Sequence, residues 1–99
     1  MSSLNTSNTA DVALASSLGN ANGTAVGIAG IFCAYCWGTF SSNTAKVQVS
    51  PDAGTTWIDY PGASFTAAGT FAPIYLGLGQ LVRATNSGGT INLTLAPMV

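Results

Sequence analysis

The chain contains no histidine and no glutamate, and only five of its 99 residues are charged: Asp11, Lys46, Asp52, Asp59 and Arg83. Charged residues make up 5% of the sequence, against about 25% of an ordinary soluble domain. Each absence removes a class of function. Two cations cannot neutralise the several phosphates that a nucleic-acid interface engages. Without His or Glu, and with three Asp, most acid–base and metal-binding constellations cannot be assembled. No cofactor or metal site is therefore expected. Serines are plentiful, but Lys46 is the only amine base, so a serine hydrolase does not follow. A bilayer-spanning run is missing too. Residues 25–40 are uncharged, yet they are too few, lack basic flanks and contain Gly27, Gly30 and Gly38. A pair of buried strands explains them better than a membrane helix. No secretory-type leader is visible at the start.

Cysteine is scarce as well. Cys33 and Cys36 are the only two. Three residues apart in a strand, they point to opposite faces, which argues against a bridge. They are too few for a zinc site. They read as small apolar residues of a protein kept in a reducing compartment.

What is present is apolar and uncharged. The hydrophobic fraction is 47%, and Ser, Thr and Asn together number 29. High hydrophobicity with low charge is the reverse of a disordered composition. One domain fits the length, and alone it would bury only about 60–65% of its unfolded surface. So few charges also leave little self-repulsion. Both points favour a homo-oligomer or a partner that covers much of the domain.

Residues 1–9 are polar and of low complexity, and residues 1–23 are read as an N-terminal arm or extension. Residues 24–99 read as an all-β domain. Ile31, Phe32, Tyr35, Trp37 and Phe40 give residues 26–40 strand character. Val47 and Val49 alternate with Lys46 and Gln48 and face a core. Residues 51–55 form a turn, and residues 56–60 return as a strand that Pro61-Gly62 closes. Residues 80–85 and 90–96 read as a hairpin around Asn86-Ser87-Gly88-Gly89, with Ile91, Leu93 and Leu95 on one face. The sum is about seven short strands, an antiparallel β-sandwich or jelly-roll.

The most specific local pattern is Ser50-Pro51-Asp52-Ala53-Gly54-Thr55-Thr56-Trp57. It resembles the Asp-box of sialidase-type propellers, where the box is structural. Ser50, Asp52, Gly54, Thr56 and Trp57 are its key positions. Asp52 is suited to accept backbone N–H bonds, Gly54 to take positive φ, and Trp57 to cover the hairpin. A single box in 99 residues does not make a propeller, so it reads as a stable hairpin. Arg83 is expected to pair with Asp59 or Asp52, or with an acid on a neighbouring chain, with Lys46 as a second cation for such pairs or for an interface. Trp57 and Tyr60 form a candidate ligand platform. The alternative for Tyr35, Trp37, Trp57, Tyr60 and Tyr75 is core and inter-sheet filler, and it is favoured.

Residues 45–97 resemble small β-sandwich proteins of tailed-bacteriophage virions. The resemblance rests on three stretches. These are Val47-Gln48-Val49-Ser50-Pro51-Asp52-Ala53-Gly54-Thr55-Thr56-Trp57, then Leu81-Val82-Arg83-Ala84-Thr85, then Gly88-Gly89-Thr90-Ile91-Asn92-Leu93-Thr94-Leu95. It implies a non-enzymatic virion component of the capsid cement or decoration kind. Such a component is often a trimer, binds the major capsid protein or other virion proteins, and assembles in the host cytoplasm. The runner-up is a glycan- or receptor-binding module of a phage fibre or spike. Neither reading involves nucleic acid or a membrane.

Overall fold

The structure, a computed structural model, describes residues 11–98. Its eight strands are β1 (Val12–Leu18), β2 (Ala21–Asn22), β3 (Gly30–Thr39), β4 (Ala45–Ser50), β5 (Ile58–Phe65), β6 (Gly69–Leu76), β7 (Leu81–Asn86) and β8 (Thr90–Pro97). They form two four-stranded antiparallel sheets, in the orders β1-β8-β3-β6 and β2-β7-β4-β5. The pairs β1–β8, β2–β7, β3–β6 and β4–β5 each join strands equidistant from the middle of the chain. The chain is thus a ribbon folded in half at the β4–β5 turn and rolled up, which brings β8 beside β3 and β7 beside β4. This is the jelly-roll form of a β-sandwich.

Period-two alternation builds the core between the sheets. In β8, Ile91, Leu93 and Leu95 are fully buried. In β3, Phe32, Ala34 and Cys36 point inward, with Leu14 of β1 and Ile74 and Leu76 of β6 in the same layer. The opposite sheet answers with smaller residues: Ala45 and Val47 of β4, Val82 and Ala84 of β7, and Ala63 of β5. Large against small lets two sheets about 10 Å apart interdigitate. Cys33 and Cys36 are free thiols on opposite faces of β3. Burial pushes the Cys36 thiol up to about 11.

The eight strands, β2 being only two residues long, agree with the expected count of about seven. Three expectations need correction. The boundary at residue 23 is too late. β1 pairs with β8 and contributes buried Leu14 and Ala15, so residues 12–22 belong to the sandwich; residues 1–10 lie outside the described region. Pro61-Gly62 does not close β5. Lys46 pairs with Ser64 and Gln48 with Asp59, so the residues between bulge outward and the strand resumes. Gly62, at φ +85°, supplies the conformation that the bulge requires. Finally, β7 and β8 are not a hairpin but lie in opposite sheets. Val82 and Ala84 face the core from one side and Ile91, Leu93 and Leu95 from the other.

The link between β7 and β8 arches over the sandwich and is held there by buried amides. The Asn43 Nδ2 donates to Asn86 Oδ1 at 2.7 Å, and Asn86 Nδ2 donates to the carbonyls of Leu18 and Gly19. Asn43 Oδ1 accepts the Ser41 N–H. This pair fastens the β1–β2, β3–β4 and β7–β8 connections at one end of the fold, and every amide has a partner.

Candidate functional site

Three surfaces carry chemistry. The first is the Asp-box turn at the fold-over point. Ser50 is fully buried, and its Oγ donates to Asp52 Oδ1 at 2.8 Å and accepts the Gly54 N–H at 2.8 Å. Asp52 Oδ1 also accepts the Thr56 N–H at 2.7 Å. Donation from Thr56, through hydroxyl and backbone, and then from Ser50 holds the Asp52 carboxyl below the usual carboxylate range. Gly54 takes φ +94°, and Ala53 before it is also left-handed. The acceptors of Asp52 are thus directed at its own loop. The turn is a self-satisfied structural unit, with Trp57 leaving it toward β7.

The second surface is the outer face of β2-β7-β4-β5. Gln48 of β4 lies between Asp59 of β5 and Arg83 of β7 in cross-strand register. Its Nε2 donates to Asp59 Oδ1 at 2.8 Å, and its Oε1 accepts from Arg83 Nε at 3.0 Å. Lys46 completes the row with an ion pair to Asp59 at 3.2 Å. Gln48 and then Lys46 hold the Asp59 carboxyl below its usual range. The Arg83 guanidinium sits 4.2 Å from the Trp57 ring centroid, a cation–π stack. Beside this row is an open groove of about 470 Å³. Lys46, Gln48, Arg83 and Thr85 line it from β4 and β7, and Asn20 and Asn22 from the β1–β2 segment.

The third surface is the outer face of β1-β8-β3-β6. The residues of β3 that alternate with the buried ones are Ile31, Cys33, Tyr35 and Trp37. Tyr75 of β6 stands opposite Ile31, and Ala96, Thr94 and Asn92 of β8 stand opposite Cys33, Tyr35 and Trp37. The Met98 N–H bonds to the Ile31 carbonyl and adds a further side chain. Trp37 is 48% exposed and Tyr75 62%. No Asp, Lys or Arg is among these residues. The neighbouring Cys33, through a hydrogen bond first of all, raises the Tyr35 phenol, and Asp11, the smallest contributor, is the charge at the margin.

The structure brings together some of the residues singled out from sequence and separates others. Asp59 pairs with Lys46, not with Arg83, because Gln48 occupies the strand between them. Trp57 and Tyr60 do not make one platform. Trp57 stacks on Arg83, whereas Tyr60 packs edge-on against Phe71, and its hydroxyl accepts the Tyr75 N–H. Tyr35, Trp37 and Tyr75 are outward aromatics rather than core filler. The role of Gln48 and the Asn43–Asn86 clamp had no sequence signal beyond strand alternation and turn composition. Among the described residues, no three potential metal-ligating side chains gather, and no helix is long and apolar enough to cross a membrane. Comparison of the chain with protein-family models, curated proteins and solved structures gives no match.

Proposed function

We propose that the chain is a non-enzymatic structural protein of a virion, a capsid cement or decoration protein that binds and stabilises a phage head as a homo-oligomer, with a trimer favoured. The observation that carries this reading is the outer face of β1-β8-β3-β6. A contiguous patch of Tyr35, Trp37, Tyr75, Ile31 and Met98, without an Asp, Lys or Arg, has the composition of a protein–protein contact: aromatics and Met enriched, charge depleted. Water contact along it is unfavourable, and burial against the major capsid protein or a second copy removes that cost. The jelly-roll architecture supports the reading by analogy, since capsid domains commonly use it. The resemblance of residues 45–97 to phage virion proteins supports it as well. Contacts of this kind depend little on salt, because so few charges take part.

The reading is tested by ultracentrifugation of the purified protein and by co-sedimentation with heads of its virus. The expected results are a trimer, saturable binding to heads, and a higher temperature of genome release from decorated particles. A monomer that fails to sediment with heads overturns the reading.

A further inference from the structure

Both cations of the chain converge on one concavity. Lys46 and Arg83 are the only Lys and Arg among 99 residues, they come from different strands, and both line the groove of about 470 Å³ on the outer face of β2-β7-β4-β5. Stability does not require this placement, because an exposed Lys–Asp pair contributes little. Every side chain lining the groove is polar, and most are amides or hydroxyls.

We propose that this groove binds an acidic saccharide, a short uronate-containing oligosaccharide, with Arg83 as the carboxylate anchor. The Arg83 Nε is engaged by Gln48, and the guanidinium carbon lies 4.2 Å from the Trp57 ring centroid. The fork is therefore held in one orientation before any ligand arrives. Within the described residues, the Arg83 guanidinium bonds through Nε alone, so both terminal amino groups are available for a bidentate contact with a carboxylate. Preorganisation of this kind lowers the ordering cost of binding.

Charge selects the ligand class. Asp59 already neutralises Lys46, which leaves the row with one uncompensated positive charge. One carboxylate matches that, while a doubly charged phosphate does not. The remaining lining offers Asn20 and Asn22 amides and the Thr85 hydroxyl, which pair with sugar hydroxyls through both donors and acceptors. The volume falls in the range of small-ligand sites. The site is distinct from the Trp57–Tyr60 platform expected from sequence, and it lies on the sheet opposite the proposed assembly face. Its failure therefore leaves the assembly reading untouched.

The test is calorimetric or ligand-observed NMR titration of the intact protein with an aldobiuronic acid, a disaccharide bearing a single carboxylate, its methyl ester and acetate. The expected result is saturable binding of the aldobiuronic acid, weakened at least tenfold by esterification and at least tenfold by Arg83→Gln, with acetate far weaker. Arg83→Lys keeps the charge and loses the fork, and is expected to recover only part of the affinity. Strand circular dichroism and melting temperature check that the variants are folded. Should Arg83→Gln unfold, Thr85→Glu, which places a carboxylate in the groove beside Arg83, replaces it and is expected to abolish binding. No saturable binding, an ester that binds equally, an unaffected folded variant, or acetate as tight as the disaccharide each overturns the proposal.

Discussion

The two outer faces of the sandwich rest on the same kind of alternating strand, yet they present opposite chemistry. The face of β2-β7-β4-β5 holds Lys46, Asp59 and Arg83, three of the five charges, joined through Gln48. The face of β1-β8-β3-β6 holds Tyr35, Trp37 and Tyr75, with Asp11 at its margin. Inward residues answer to packing, so on both sheets they are mainly apolar, larger on one and smaller on the other. Outward residues answer to whatever lies outside, and there the sheets diverge. A polar row can stand in water, and an aromatic one marks a surface that is covered in use.

The comparison can be broken or sharpened by substitution. The largest effect belongs to the shared core. Leu93→Ala, directly between the sheets, is expected to cost about 2–5 kcal/mol in urea unfolding. A smaller cost would mean that the two sheets do not depend on a common interior. Next comes the amide clamp that holds the sheets together at one end. Asn86→Ala leaves Asn43 and the Leu18 and Gly19 carbonyls without their partner, and about 1–3 kcal/mol is expected to be lost. Asn43→Ala in the same background should then add less than it does alone, as contacting residues are not additive.

Outer-face changes are expected to be smaller for stability and to separate the faces. Trp37→Lys should change folding stability by no more than about 0.5 kcal/mol and shift the oligomer toward monomer in light scattering. Thr85→Lys on the polar face should leave the oligomer intact. Equal effects from both would erase the distinction between the faces. The smallest effect is electrostatic. Asp52 and Asp59 have carboxyls held below the ordinary value of 3.8, so their stabilisation is present above that pH. It is lost as pH falls through the depressed folded values. The urea midpoint is expected to drop below about pH 3.8, with Asp59→Asn removing its share, under about 1 kcal/mol for so exposed a pair. A midpoint independent of pH down to 2 would contradict the hydrogen bonds assigned to both groups.

Some of this was legible from the residues. Ile91, Leu93 and Leu95 alternate so regularly that β8 and its inward face follow at once, and the Asp-box marks the β4–β5 turn unambiguously. Other parts were not. Val12–Leu18 is small and mixed, and its strand character comes from pairing with β8 rather than from propensity. Turn residues at 86–89 signal a reversal but do not say whether the next strand pairs alongside or crosses to the other sheet. Aromatic residues likewise announce a large apolar surface without saying which side of the strand it faces. The polar row depends on register, since Gln48 meets both Asp59 and Arg83 only once three strands are aligned.

The ribbon's fold in half has a kinetic consequence. Val12 pairs with Leu95, so β1 and β8 meet only after nearly the whole chain has been gathered. The β4–β5 pair closes a short loop, whose entropy cost is small. Successive pairs then enclose what is already formed, so assembly is expected to run from the centre of the chain to its ends. Such a chain is expected among slow folders, with a rate sensitive to the Asp-box turn. Transition-state φ-values are expected to be highest near Val47 and to fall toward β1 and β8. The reverse gradient would mean that the roll closes from its ends.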